Sequence, residues 1–115
     1  MVKSVLGAHH QGLREWIIQR ISAIMMAVFS IAFVIYIVFH PDLSYAEWHN
    51  LFSLQWVKIS TILFITALLY HAWIGMWTIF TDYIKSYVLR SILNFFVLLM
   101  LFACFFWALL ILWSV

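Results

Sequence analysis

The chain has 115 residues, the size of one structural unit at roughly 100–200 residues per domain. Hydrophobic residues make up 68% of it and charged residues 9%, where an ordinary soluble domain has about 45–50% and about 25%. Six basic and four acidic side chains cannot form the polar shell of a water-soluble fold, and a net charge of +2 is too small to attract a polyanion. A soluble enzyme, a nucleic-acid-binding module and a disordered tail are thereby excluded. An integral membrane protein is expected.

Three charge-free apolar runs follow in chain order, Ile21 to Phe39, Ile59 to Thr81 and Ser91 to Val115. At a rise of ~1.5 Å per residue each is long enough to cross a hydrocarbon core of ~30 Å. Strands of a membrane barrel would be shorter and would alternate in polarity, which these runs do not. The predicted fold is an all-α integral membrane protein in one unit spanning residues 1–115. Its helix 1 covers about 16–39, an outer loop 40–56, helix 2 about 57–82, an inner loop 83–90 and helix 3 about 91–114. The first run starts too late and extends too far for a cleavable signal peptide.

Lys3, Arg14 and Arg20 precede helix 1, and Lys85 and Arg90 lie between helices 2 and 3. The loop between helices 1 and 2 has no basic residue before Lys58. The positive-inside rule then puts the N-terminus and inner loop in the cytoplasm, and the outer loop and C-terminus in the periplasm. In the outer loop Pro41 ends helix 1 and Ser44-Tyr45-Ala46-Glu47 reads as a capping box. Tyr45, Trp48 and Phe52 share one face of the short interfacial helix this box would open.

Arg20, Ala23, Ala27 and Ser30 fall within about 80° on the helix 1 wheel. Small residues admit a neighbouring helix, so this stripe is expected to face a bundle. Arg20 then has two readings, a cation snorkelling to lipid phosphate or an inward cation that holds an anionic group. Cys104 lies in a membrane run with no second cysteine in the chain, and it reads as packing.

Helix 2 carries the chemistry. His71 sits near the middle of its run, where an ionisable group is costly and usually functional. A neutral imidazole is a good axial ligand for haem iron, and Gly75, one turn on, would let a flat macrocycle lie close. The competing reading is a histidine hydrogen-bonded to a neighbouring helix. If His71 does bind haem, the chain has no second histidine in a membrane run. The other axial ligand then belongs to another polypeptide, and three helices are too few to enclose a porphyrin. At the cytoplasmic end Asp82 and Tyr83 read either as part of the interfacial belt or as a proton-donating pair for a quinone carbonyl. Helix 3 has aromatics all round and reads as a packing helix.

The stretch His71-Ala72-Trp73-Ile74-Gly75-Met76-Trp77, followed by Thr81-Asp82-Tyr83, resembles the smaller hydrophobic membrane-anchor subunit of bacterial succinate dehydrogenases. Arg20-Ile21-Ser22-Ala23-Ile24 and Leu43-Ser44-Tyr45…Trp48 add to the resemblance, which covers essentially the whole chain. It implies half of a heterodimeric bundle holding haem b, with His71 as an axial ligand to the iron and Arg20 near a haem propionate. Tyr83 matches a ubiquinone-bonding tyrosine and Asp82 its neighbouring carboxylate. Arg14 departs from the pattern, because the relatives carry a histidine there. The implied partners are a second anchor subunit of cytochrome b type, an iron–sulfur subunit and a flavoprotein subunit, in the bacterial inner membrane. Flavin, clusters and succinate oxidation would belong to the soluble subunits, leaving this chain without catalysis of its own. Two rivals remain. One is a small transporter subunit with His71 and Asp82 as a proton relay, disfavoured because no helix is broken by Gly or Pro. The other is a haem-free anchor, which would lack the mid-membrane histidine.

Overall fold

A computed structural model describes residues 11–115; Lys3, His9 and His10 lie outside that range. Four helices follow one another: α1 (Gln11–Phe39), α2 (Tyr45–Ser53), α3 (Gln55–Tyr83) and α4 (Tyr87–Trp113). Three of them, α1, α3 and α4, are long and apolar enough to cross a membrane. Such segments are stable as helices because no water in the hydrocarbon can satisfy an open backbone.

The described helices overrun the boundaries expected from hydropathy. The α1 helix is already formed at Gln11, the first described residue, rather than starting near residue 16, and the expected inner loop of 83–90 shrinks to Ile84–Ser86. The cause is that charge ends a hydropathy run without ending a helix. Arg14, Glu15 and Arg20 ride on the first turns of α1, and Arg90 on the first turn of α4. Ser86 makes the actual boundary, since its hydroxyl accepts a hydrogen bond from the Leu89 amide at 3.3 Å, satisfying one of the unpaired donors of a helix start.

The α3 helix is central, with α1 packed on one side and α4 on another, and α2 resting on its first turns. Along α1 the less exposed positions include Ile18, Gln19, Ser22, Ala23, Met26, Phe29, Phe33 and Tyr36, spaced for one helical face. Phe29 stacks on Phe64 of α3 with ring centroids 4.5 Å apart. Of the small stripe expected to face a bundle, Ala23 is half-buried within the described unit, while Ala27 and Ser30 are exposed, where they leave a low surface for a helix of another chain.

The capping box of α2 is present in full. Ser44 Oγ accepts from the Glu47 amide at 3.2 Å, and Glu47 Oε2 accepts from the Ser44 amide at 3.0 Å. Trp48 turns toward Phe33 of α1, centroids 5.8 Å apart, and stacks on Phe52, so part of the predicted aromatic face is a clasp over the bundle end. Tyr45 is left exposed. At that same end Lys58 is buried, lies over the Trp113 ring, and donates from Nζ to the Val115 carbonyl at 3.1 Å. This bond fixes the end of α4 against the start of α3.

Few side chains are buried: Val57, Ala67, Ile74, Phe80 and Leu112 form the apolar core. Large apolar residues stand exposed on all three long helices, which in water would be prohibitive. In a bilayer the same surface is solvated by lipid and by neighbouring transmembrane helices.

Candidate functional site

Hydroxyl groups in the long helices mostly close on their own backbone. On α3, Ser60, Thr61, Thr66, Thr78 and Thr81 each donate to the carbonyl four residues earlier. That is how a hydroxyl is tolerated in apolar surroundings. Ser22 of α1 does this too, donating to the Gln19 carbonyl at 3.0 Å. It alone among the described serines and threonines also reaches across a helix seam, where its Oγ lies 3.0 Å from Nδ1 of His71.

These two contacts are satisfied together in one tautomer of the imidazole. A serine hydroxyl has one proton and two lone pairs. With the proton given to Gln19, only a lone pair faces His71, so both hydrogen bonds exist together only when His71 Nδ1 carries the hydrogen and donates it. Nε2 is then the unprotonated nitrogen, on the far side of the ring from Ser22. An imidazole held by Nδ1–H with a free Nε2 lone pair is the arrangement that metal-binding histidines adopt.

His71 occupies the middle of α3 and is half-buried. Gly75 lies one turn further, about 40° round the helix. A Cβ placed on Gly75 would meet nothing within 4 Å. No neighbour in this unit requires a glycine there, so the missing side chain keeps space free beside the ring of His71. A free Nε2 next to an open, flat stretch of helix fits the edge of a haem.

The other expected site residues lie apart from this pair. Asp82 and Tyr83 are at the last turn of α3, both exposed, with Tyr83 79% exposed. Tyr83 is twelve residues from His71, or ~18 Å along the axis, so the two residues serve separate positions on one helix. Arg20 is exposed, with its guanidinium carbon 5.3 Å from the centroid of the Trp16 ring. Two residues from Ser22, it leaves α1 in a direction turned by about 160°. The described chain therefore does not bring Arg20 to His71. Ser22 is the member that sequence reasoning left without a role. Its signal was available: it is the one serine or threonine among the inward positions on α1.

Residues 3–110 match the family model described as the succinate dehydrogenase/fumarate reductase transmembrane subunit. The chain belongs to that family. It is also 43% identical over 103 residues, 90% of either chain, to the succinate dehydrogenase hydrophobic membrane anchor subunit of Coxiella burnetii (strain RSA 493 / Nine Mile phase I). The protein is thus a multi-pass membrane anchor of the succinate dehydrogenase type. It is a non-catalytic subunit that associates with the other subunits of its complex.

Proposed function

We propose that this anchor contributes one axial ligand, His71 Nε2, to a haem b shared with a second anchor subunit, and that its cytoplasmic end helps to bind ubiquinone. The observation that carries the haem reading is the Ser22–His71 contact, which leaves Nε2 as a lone-pair donor beside the open surface at Gly75. The haem supplies a one-electron centre within the membrane. The chain's own residues orient it: Ser22 and the α1–α3 seam hold the ring, and Gly75 leaves the macrocycle room. Gln19 Oε1, one turn from Ser22, is buried without a hydrogen-bond partner among the described residues. A buried acceptor left so costs about 1–3 kcal/mol, which favours completion of this region by a neighbouring subunit or by water.

Arg20 is read as a cation for a haem propionate; what supports this is its exposed guanidinium near the cytoplasmic end of α1, free of any ion pair among the described residues. At the end of α3, Tyr83 donates its phenol hydrogen to a quinone carbonyl, with the Asp82 carboxylate beside it. Arg14, Arg20, Lys85 and Arg90 all belong to this end of the bundle, so the positive-inside rule assigns it to the cytoplasm. There the iron–sulfur and flavoprotein subunits dock and deliver electrons from succinate, in the bacterial inner membrane.

The test is a reduced-minus-oxidised spectrum of the complex purified through this chain. A low-spin b-type band is expected. A complex with its full set of subunits and no such band contradicts the haem reading and returns His71 to a structural hydrogen bond.

A further inference from the structure

We infer that Ser22 is a positioning residue for the haem iron: its hydroxyl fixes the tautomer and rotation of His71 and sets how strongly that imidazole donates to the metal. The inference rests on the reading of His71 as an iron ligand.

Three features of Ser22 lead to it. The residue is 5% exposed, so water does not compete for its hydroxyl. Its proton is committed to the Gln19 carbonyl at 3.0 Å, and its oxygen meets His71 Nδ1 at 3.0 Å. A hydroxyl that donates to a carbonyl becomes a better acceptor, because hydrogen bonds in a chain polarise one another. The series Gln19 carbonyl, Ser22 hydroxyl, His71 imidazole therefore runs in one direction and ends on Nε2. Accepting the Nδ1 hydrogen raises the electron density of the ring and its basicity at Nε2.

A more basic ligand stabilises ferric iron more than ferrous iron, because the ferric ion carries the extra positive charge. Ser22 thus holds the haem potential below the value that an unsupported imidazole would give. Serine is a neutral acceptor, so the adjustment is smaller than a carboxylate would make and adds no charge to the membrane interior. The same bond crosses from α1 to α3, so it also stops the ring from rotating about its side-chain torsions. Without it, Nδ1–H loses the acceptor that it has across the seam.

The experiment compares the assembled complex carrying Ser22→Ala, Ser22→Thr or His71→Ala with the unsubstituted complex. Midpoint potential, the low-spin electron paramagnetic resonance signal and haem retained per complex are measured. Ser22→Ala should raise the potential, shift the low-spin signal and weaken haem retention about 10–100-fold, the usual cost of losing such a supporting bond. Ser22→Thr keeps a hydroxyl that can back-bond the same carbonyl and should restore the unsubstituted values. If the alanine complex fails to assemble, Ser22→Val takes its place. Valine and threonine have the same shape and differ in the hydroxyl, so a difference in potential between them supports the inference and equal potentials overturn it. Loss of the signal in His71→Ala with an unmoved potential and signal in Ser22→Ala overturns the role of Ser22 while leaving the ligand in place. An intact signal in His71→Ala overturns the ligand reading itself, and the inference with it.

Discussion

Tyr83 stands exposed at the last turn of α3 with its side chain free of the bundle, so Tyr83→Phe deletes a hydroxyl without disturbing packing. A belt tyrosine would tolerate that change with little effect. A hydroxyl that donates to a quinone carbonyl loses a neutral hydrogen bond with a net worth of about 0.5–1.5 kcal/mol, and proton delivery suffers in addition if the phenol takes part in it. Succinate-to-ubiquinone transfer in Tyr83→Phe should fall at least a few-fold. Succinate oxidation with an artificial acceptor and the haem spectrum should stay near those of the unsubstituted complex. An unchanged rate of quinone reduction removes Tyr83 from the quinone site and leaves His71 untouched.

At the scale of the helix, α3 has a glycine in its interior that its own packing does not require. Alanine there would meet nothing within 4 Å and would gain up to about 1 kcal/mol of helix propensity. Gly75→Ala should therefore insert and assemble as well as the unsubstituted chain, yet lower the haem content, because the methyl occupies the space proposed for the macrocycle. Equal haem content in both would show that the macrocycle does not approach this face. The helices themselves were legible in the sequence, since charge-free runs of membrane length leave few alternatives, and so was the cap of α2, where Ser44 and Glu47 stand at the required spacing. The helical residues before 16 and the start of α4 at Tyr87 were not, because arginine on an early turn reads as loop while costing a helix nothing. The small stripe of α1 did not reveal the seam within this chain. Small residues such as Ala27 and Ser30 mark where helices can approach, and in this chain the α1–α3 contact is made instead by large rings, Phe29 on Phe64. His71 was evident as a lone ionisable group at mid-membrane, but its partner was not. A hydrogen bond between residues 49 positions apart depends on helix rotation, which one amphipathic period cannot supply when every face is apolar.

For the whole molecule, the thin core and the apolar exterior describe a unit whose outer surface belongs partly to lipid and partly to other subunits. Its polarity along the membrane normal follows from basic residues gathered at one end. Reporter fusions after Pro41 and at Val115 should be active in the periplasm, and one after Lys85 in the cytoplasm. Cytoplasmic activity at Pro41 would invert the chain and move Tyr83 away from the soluble subunits. The haem assignment ties these scales together, since it needs the tautomer of one ring, the open face of one helix and a second ligand from another chain. Its most direct test is imidazole rescue of His71→Gly in the assembled complex. Removing the side chain should abolish or alter the low-spin b-type signal, and imidazole added to solution should restore it by occupying the vacated space and presenting a nitrogen to the iron. A low-spin signal in His71→Gly that matches the unsubstituted complex before any imidazole is added would contradict the account.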